Sequence, residues 1–170
     1  MKRQPKETRD LLVADAGPLI ALAKCGQLEL LEQLFERVHV PQAVVDEVLM
    51  GGHWPEMPFL KTYLQTEAQV HASLDNPLVQ QLRGYLHEGE TQAIALANEL
   101  PATLLIDELQ GRRVAQERSI IVVGALGVLL RAKRLGLIER LKPCIVRMRS
   151  NGYALSEGLI AQVLQLAGES

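Results

Sequence analysis

A chain of 170 residues at 48% hydrophobic composition can bury one real core, and with aromatics at 4% that core must be Leu, Val, Ile and Ala. No apolar run approaches the roughly 20 residues of a membrane span, and the opening "MKRQPKETRD" lacks the apolar stretch of a secretory signal. Two cysteines in no metal-like spacing point to a cytoplasmic protein without a disulfide framework, and the net charge of −2 becomes informative only when divided along the chain.

Residues 1–9 read as a polar leader to a single domain that spans 1–170. "DLLVAD" is an apolar run closed by a carboxylate, the pattern of a buried strand. Pro18 suits the first turn of the helix "PLIALAKCG", which Gly26 ends, and "QLELLEQLF" is a second amphipathic helix. "RVHV" is a short strand, and Pro41 opens the helix "QAVVDEVLM", stopped by Gly51 and Gly52. "GGHWPEMP" reads as a loop, and "FLKTYLQTEAQVHASLDN" is ambiguous between helix and strand. "PLVQQLRGYL" and "ETQAIALANEL" are helical on either side of an interrupting "HEG". "ATLLID" is a second apolar run ending in a carboxylate; the helix "ELQGRRVAQERS", the strand "IIVVG" and the helix "ALGVLLRAKRLG" follow. "LIERLKPCIVRMRS" and "LSEGLIAQVLQLAG" complete the chain as helices, the last of them over 156–170 with Ser156 as its N-cap. Short apolar strands alternating with helices predict an α/β fold, a parallel sheet covered on both faces.

Charge is unevenly spread. Residues 112–149 hold ten Arg or Lys against Glu117 and Glu139, a net of +8, so the rest of the chain carries −10. Such asymmetry suits an acidic site beside a basic surface that meets a polyanion; solvated basic helices explain it equally well.

Ligands of open α/β sheets bind beyond the carboxyl ends of the strands. Asp15 and Asp107 stand at two such ends. Glu47 shares a helical stripe with Val44 and Gly51, and Glu90 precedes Ala93, Ile94 and Ala97 on a core-facing side. Asp46 falls off the Val44 stripe and Glu88 lies outside the helix, so both are expected to face solvent. Four converging carboxylates without matching cations repel one another unless a cation joins them, and hard oxygen donors favour Mg²⁺ or Mn²⁺ over zinc. Each acid also has a plainer reading. Asp15 and Asp107 can cap helices, Glu90 can answer a helix dipole, and Glu47 can pair with an arginine. The joint placement favours a site.

Other chemistry finds less support. His39, His53, His71 and His87 fall in no ligand spacing; Ser73, Ser119 and Ser156 lack a nucleophile pattern; "GALG" lacks the lysine of a phosphate loop. Arg112 and Arg113, one turn past Asp107, can meet an RNA phosphate or form a structural ion pair. Trp54 can stack on a base, though a local apolar anchor is the simpler role.

The segments "VADAGPLIALAKCGQLELLEQLF", "VPQAVVDEVL", "LHEGETQAIALA", "LLIDELQGRRVAQERSIIVVG" and "GYALSEGLIAQVLQLAGE" resemble the PIN-domain superfamily. More closely, they resemble the DUF3368 group of prokaryotic PIN-like proteins related to VapC toxins, over about residues 11–169. The resemblance implies a three-layer α/β/α fold with a short central parallel sheet. It further implies a Mg²⁺- or Mn²⁺-dependent endoribonuclease that hydrolyses RNA phosphodiesters with metal-activated water. Asp15, Glu47, Glu90 and Asp107 take the places of the family's catalytic acids. Metal would fall to Asp15, Glu90 and Asp107, with Glu108 reaching it through water. The resemblance implies a toxin-like role, with a small antitoxin protein across the groove and a homodimer; the apolar content of "PLIALAKCG", "LELLEQLF" and the C-terminal helices also predicts the dimer. One departure stands out. Where many relatives place Thr-Ser after the first aspartate, this chain has Ala16 and Gly17, so a hydroxyl beside the acids is not expected from that segment. A catalytically silent PIN-like module holding RNA or a protein is the alternative.

Overall fold

The computed structural model describes residues 10–169, and the leader expected over 1–9 lies outside the described residues. In chain order the elements are β1 (Leu11–Ala14), α1 (Ala16–Lys24), α2 (Glu29–Leu34), β2 (Arg37–Pro41), α3 (Gln42–Met50), α4 (Met57–Thr66) and β3 (Gln69–His71). There follow α5 (Pro77–Leu82), α6 (Glu88–Glu99), β4 (Thr103–Leu105), α7 (Leu109–Glu117), β5 (Val122–Val123), α8 (Ala125–Arg134), α9 (Lys142–Ser150) and α10 (Glu157–Leu166). The five strands form one parallel sheet in the order β3-β2-β1-β4-β5.

Period-two alternation along each strand sends side chains to two separate cores. Leu12, Ala14, Val38, Val40 and Leu105 point to one face, where they pack with α1, α2, α8 and α9. Val13, Leu104 and Ile106 point to the other, against Ile94 and Ala97 of α6 and Ala115 of α7. Each fully buried leucine contributes about 1.5–3 kcal/mol, and Leu, Val, Ile and Ala supply most of both clusters, as the scarcity of aromatics requires. The result is the expected three-layer α/β/α arrangement. After β1 the chain builds β2 and β3 on one side and then returns to place β4 on the other. The order therefore reverses between β1 and β4, and a crevice opens at their carboxyl ends.

Several local expectations change. The ambiguous stretch divides into α4 and the exposed edge strand β3, whose His71 Nε2 meets His39 Nδ1 of β2 at 2.7 Å. Glu88 is the first residue of α6 and not part of an interruption. "LIER" is not helical: α9 begins at Lys142, with Pro143 in its first turn. Gly26 stops α1 in a left-handed turn (φ 70°), and Gln27 N–H closes back on Leu22 O at 2.8 Å. Ser156 caps α10 by accepting from Leu159 N–H at 3.2 Å.

The basic segment is only partly a free surface. Lys133 and Arg140 reach Glu169, Arg149 pairs with Glu157, Arg147 donates to Cys25 O, and Arg131 lies over the Phe35 ring. Arg118 donates to Gln81 and Arg112 to Ile106 O, so seven of the ten bases are occupied within the fold. Glu169 also accepts the backbone N–H groups of Leu141 and Lys142, at 2.9 and 3.1 Å. Although burial opposes it, these donors hold its carboxyl below the usual range. Glu169→Ala is expected to cost about 1–3 kcal/mol in urea unfolding, since it unpairs two N–H donors and leaves Lys133 with only the Ala167 carbonyl.

The apolar residues expected to form a dimer contact are largely internal. Those of α1 and α2, including Leu19, Leu22, Leu30, Leu31 and Leu34, are core and not surface. The C-terminal helices do carry exposed apolar side chains, Val146 on α9 and Leu159 and Leu166 on α10, and others lie on α3 and α4, among them Leu49, Met50 and Phe59.

Candidate active site

The crevice between β1 and β4 is built by backbone first. Asp15 N–H donates to Leu105 O at 2.9 Å, which carries the parallel ladder one residue past β1 and fixes the start of α1. Asp15 therefore emerges at the strand end with 6% of its surface exposed. It occupies the N-cap position of α1, yet its carboxylate makes no cap bond, and its buried Oδ1 has no hydrogen-bond partner. The plain capping role does not account for it. Burial pushes its pKa up to about 7, with the negative charges of Glu47, Glu90 and Asp107 adding to the rise.

That repulsion also locates the other acids. Glu90, on the first turn of α6, is half-buried; its pKa is raised by burial and by the nearby charges of Glu108 and Glu47. Glu47 is exposed along most of its length, and its tip bends over α6. A methyl built at Gly89 would lie 2.6 Å from Glu47 Oε2 and 3.7 Å from Asp15 Oδ1, so both carboxylates flank one spot that only a glycine leaves open. Gly89→Ala is accordingly expected to displace the Glu47 tip at little or no cost in stability. Alanine favours the helix by up to about 1 kcal/mol, and the obstructing atom ends a flexible side chain. The variant should melt at or above the wild-type temperature while binding Mn²⁺ more weakly.

Asp107 follows β4 by two residues and is the most engaged of the four. Its Oδ1 accepts from Ala125 N–H, the first residue of α8, at 3.1 Å, and its Oδ2 accepts from the Tyr153 hydroxyl at 2.5 Å. Gly124 lies so close that a Cβ there would strike Asp107 Oδ1. Asp107 thus does anchor a helix start, though not that of its own following helix.

The remaining predicted residues divide. Glu108 caps α7, with Oε1 and Oε2 accepting from the N–H groups of Gln110 and Gly111 at 3.0 and 2.6 Å. Its first task is that cap, and the water-bridged metal contact expected for it is at most a second one. Arg112 turns inward, its Nη1 donating to Ile106 O at 2.8 Å, which fixes the strand end beside Asp107. The contact is a structural one, to a backbone carbonyl and not the ion pair expected as the alternative. Arg113 stays exposed on α7. Trp54 is a half-buried anchor against the core, with Lys24 Nζ 5.6 Å from its ring centre. A cavity of about 730 Å³ opens between α2 and α4, and none of the four acids lines it.

Sequence reasoning missed Tyr153. It lies 46 residues after Asp107 in a loop without a local pattern, and only the register of α9 and α10 brings it home.

A divalent cation suits this pocket on chemical grounds. The donors are carboxylate oxygens, one of them is buried without a partner, and neighbouring negative charges add to the raised pKa of Asp15 and of Glu90. As they stand, no group of three or more described His, Cys, Asp or Glu side chains is drawn together closely enough to share one ion. Loading therefore requires the carboxylates to close in by side-chain rotation, which the long stem of Glu47 permits.

Comparison with known proteins agrees with this architecture. No curated protein matches the chain. Among solved structures, a PilT N-terminus domain protein, SSO1118, from the hyperthermophilic archaeon Sulfolobus solfataricus P2 superposes with a TM-score of 0.56 at 18% identity. The match covers 72% of this chain and 92% of that one and shows a shared fold. Among the described residues no helix is long and apolar enough to cross a membrane. The family model of DUF3368, described as a PIN domain, matches residues 11–169, and PIN is generally a nuclease fold; the chain belongs to that family.

Proposed function

We propose that the protein is a metal-dependent endoribonuclease, the toxin-like member of a toxin–antitoxin pair. The observation that carries this reading is Asp15, a buried carboxylate with an unpartnered oxygen at the switch point of a parallel sheet, surrounded by three further acids. A folded chain tolerates such an arrangement when a cation completes it.

Asp15, Glu90 and Asp107 would hold Mg²⁺ or Mn²⁺, with Glu47 closing from the rim and Glu108 at the outer edge. When bound, the ion supplies positive charge to a scissile phosphate and acidifies water for attack on phosphorus. The protein's own part is orientation and proton control. The Ala125 N–H and the Tyr153 hydroxyl fix Asp107, and Arg112 fixes the backbone before it. In the metal-free pocket the Asp15 pKa of about 7 leaves part of the carboxyl protonated at neutral pH, and a cation would have to displace that proton to bind. Arg113, exposed on the adjoining helix, is placed to meet RNA phosphate. A small antitoxin protein laid across this crevice would need a cation to meet the acids, and the exposed apolar side chains of α3 and α4 or of α9 and α10 offer a second copy a contact.

One observation favours the silent alternative, in which the domain holds RNA or a protein without cutting: both Asp107 oxygens are already occupied. The two separate by experiment. End-labelled single-stranded RNA incubated with the protein is expected to be cut in Mn²⁺ or Mg²⁺ and left intact in chelator. RNA retained on the protein but uncut in both metals would favour the silent module.

A further inference from the structure

The tail of the chain reaches into the acidic pocket through a prepared loop. Gly152 turns the backbone after α9 in the left-handed region (φ 84°), and Tyr153 N–H closes on Met148 O at 3.0 Å. Asn151 is tied to the end of α1, its carbonyl accepting from Lys24 Nζ at 2.6 Å and its side chain donating to Lys24 O at 3.4 Å. These contacts aim the half-buried Tyr153 ring at the crevice, where its hydroxyl donates to Asp107 Oδ2 at 2.5 Å. From the opposite wall, a Cβ at Gly17 would stop 3.6 Å from the same hydroxyl oxygen. The hydroxyl therefore sits between the helix that follows Asp15 and the carboxylate of Asp107.

We infer that Tyr153 is a positioning residue of the acidic pocket: its hydroxyl orients Asp107 towards the cation, with Gly17 of α1 close on its other side. The inference rests on the metal-dependent reading proposed above. Segment 151–156 becomes part of the site and not merely a link between α9 and α10. With Oδ2 held by the phenol and Oδ1 by Ala125 N–H, Asp107 has little rotational freedom, and each oxygen keeps a lone pair directed elsewhere. An outer partner of this kind typically changes metal affinity about 10–100-fold when removed.

The test is Mn²⁺ binding by the full chain, followed by electron paramagnetic resonance well below the melting temperature. Tyr153→Phe removes only the hydroxyl, and Gly17→Val crowds the same contact from the other wall, which covers the case in which one variant fails to fold. Either folded variant is expected to bind Mn²⁺ about 10–100-fold more weakly. RNA cleavage lost at low Mn²⁺ should return as Mn²⁺ is raised, a rescue that a merely loosened tail would not show. If the wild type binds Mn²⁺ and the folded variants bind it equally well, the tyrosine only tethers the tail and the inference falls alone. If the wild type binds no Mn²⁺, the metal-dependent reading falls and takes the inference with it.

Discussion

Asp15→Asn is expected to stabilise the metal-free protein by about 2 kcal/mol at pH 8 and to leave it nearly unchanged at pH 4. The sign follows from where the carboxyl titrates in each state, near 3.8 in the unfolded chain and near 7 in the folded one. Well below pH 3.8 both states hold the proton, and burial of a neutral acid costs the fold nothing extra. As pH rises through 7 the unfolded state is already ionised, and the folded state must ionise a buried group among three other acids. A tenfold change in proton affinity is worth about 1.4 kcal/mol. The whole displacement therefore amounts to roughly 4 kcal/mol, of which side-chain movement and entering water relieve about half. Asparagine keeps the shape and never ionises. Urea unfolding in chelator at the two pH values measures the difference. A helix cap predicts little change, because asparagine caps a helix about as well as aspartate, and a variant no more stable than the wild type at pH 8 would return Asp15 to that role.

Asp107→Asn should lower RNA cleavage at least about a hundredfold while leaving the chain folded. The fold survives because the amide can reproduce the pairing. Its carbonyl accepts from Ala125 N–H and its NH₂ donates to the Tyr153 hydroxyl, which accepts in place of donating. Only the negative charge is lost. In a site that gathers charge to hold a cation, that charge is the functional property. Cleavage rates in Mn²⁺ beside an unchanged circular dichroism spectrum test this, and equal rates in the two proteins would remove Asp107 from the chemistry.

These expectations trace back to features that differ in legibility. Asp15 and Asp107 stand out in the sequence because each ends an apolar run with a charge, a pattern that burial alone does not produce. Glu47 and Glu90 are legible from helical period, although Glu47 proves to be a rim residue that arches over Gly89. The sheet follows from its apolar strands, apart from β3, where "QVH" is short, exposed and polar-flanked and leaves no periodic signal. Two things have no local trace. The pairing of the basic segment with Glu157 and Glu169 depends on how the last helix docks, so summed charge overstates the free basic surface. The hydroxyl absent at Ala16 and Gly17 has a counterpart in Tyr153, which arrives from the far end of the chain by tertiary contact alone.

The central claim, that Asp15 and the three acids around it form a cation site, is tested most directly by titrating the purified full chain with Mn²⁺ at pH 8 and at pH 6. Binding is expected at pH 8. It should weaken at pH 6, where the proton on Asp15 competes with the ion, and be largely lost in Asp15→Asn at both pH values. Absence of Mn²⁺ binding by the wild type, or undiminished binding by Asp15→Asn at pH 8, would contradict it.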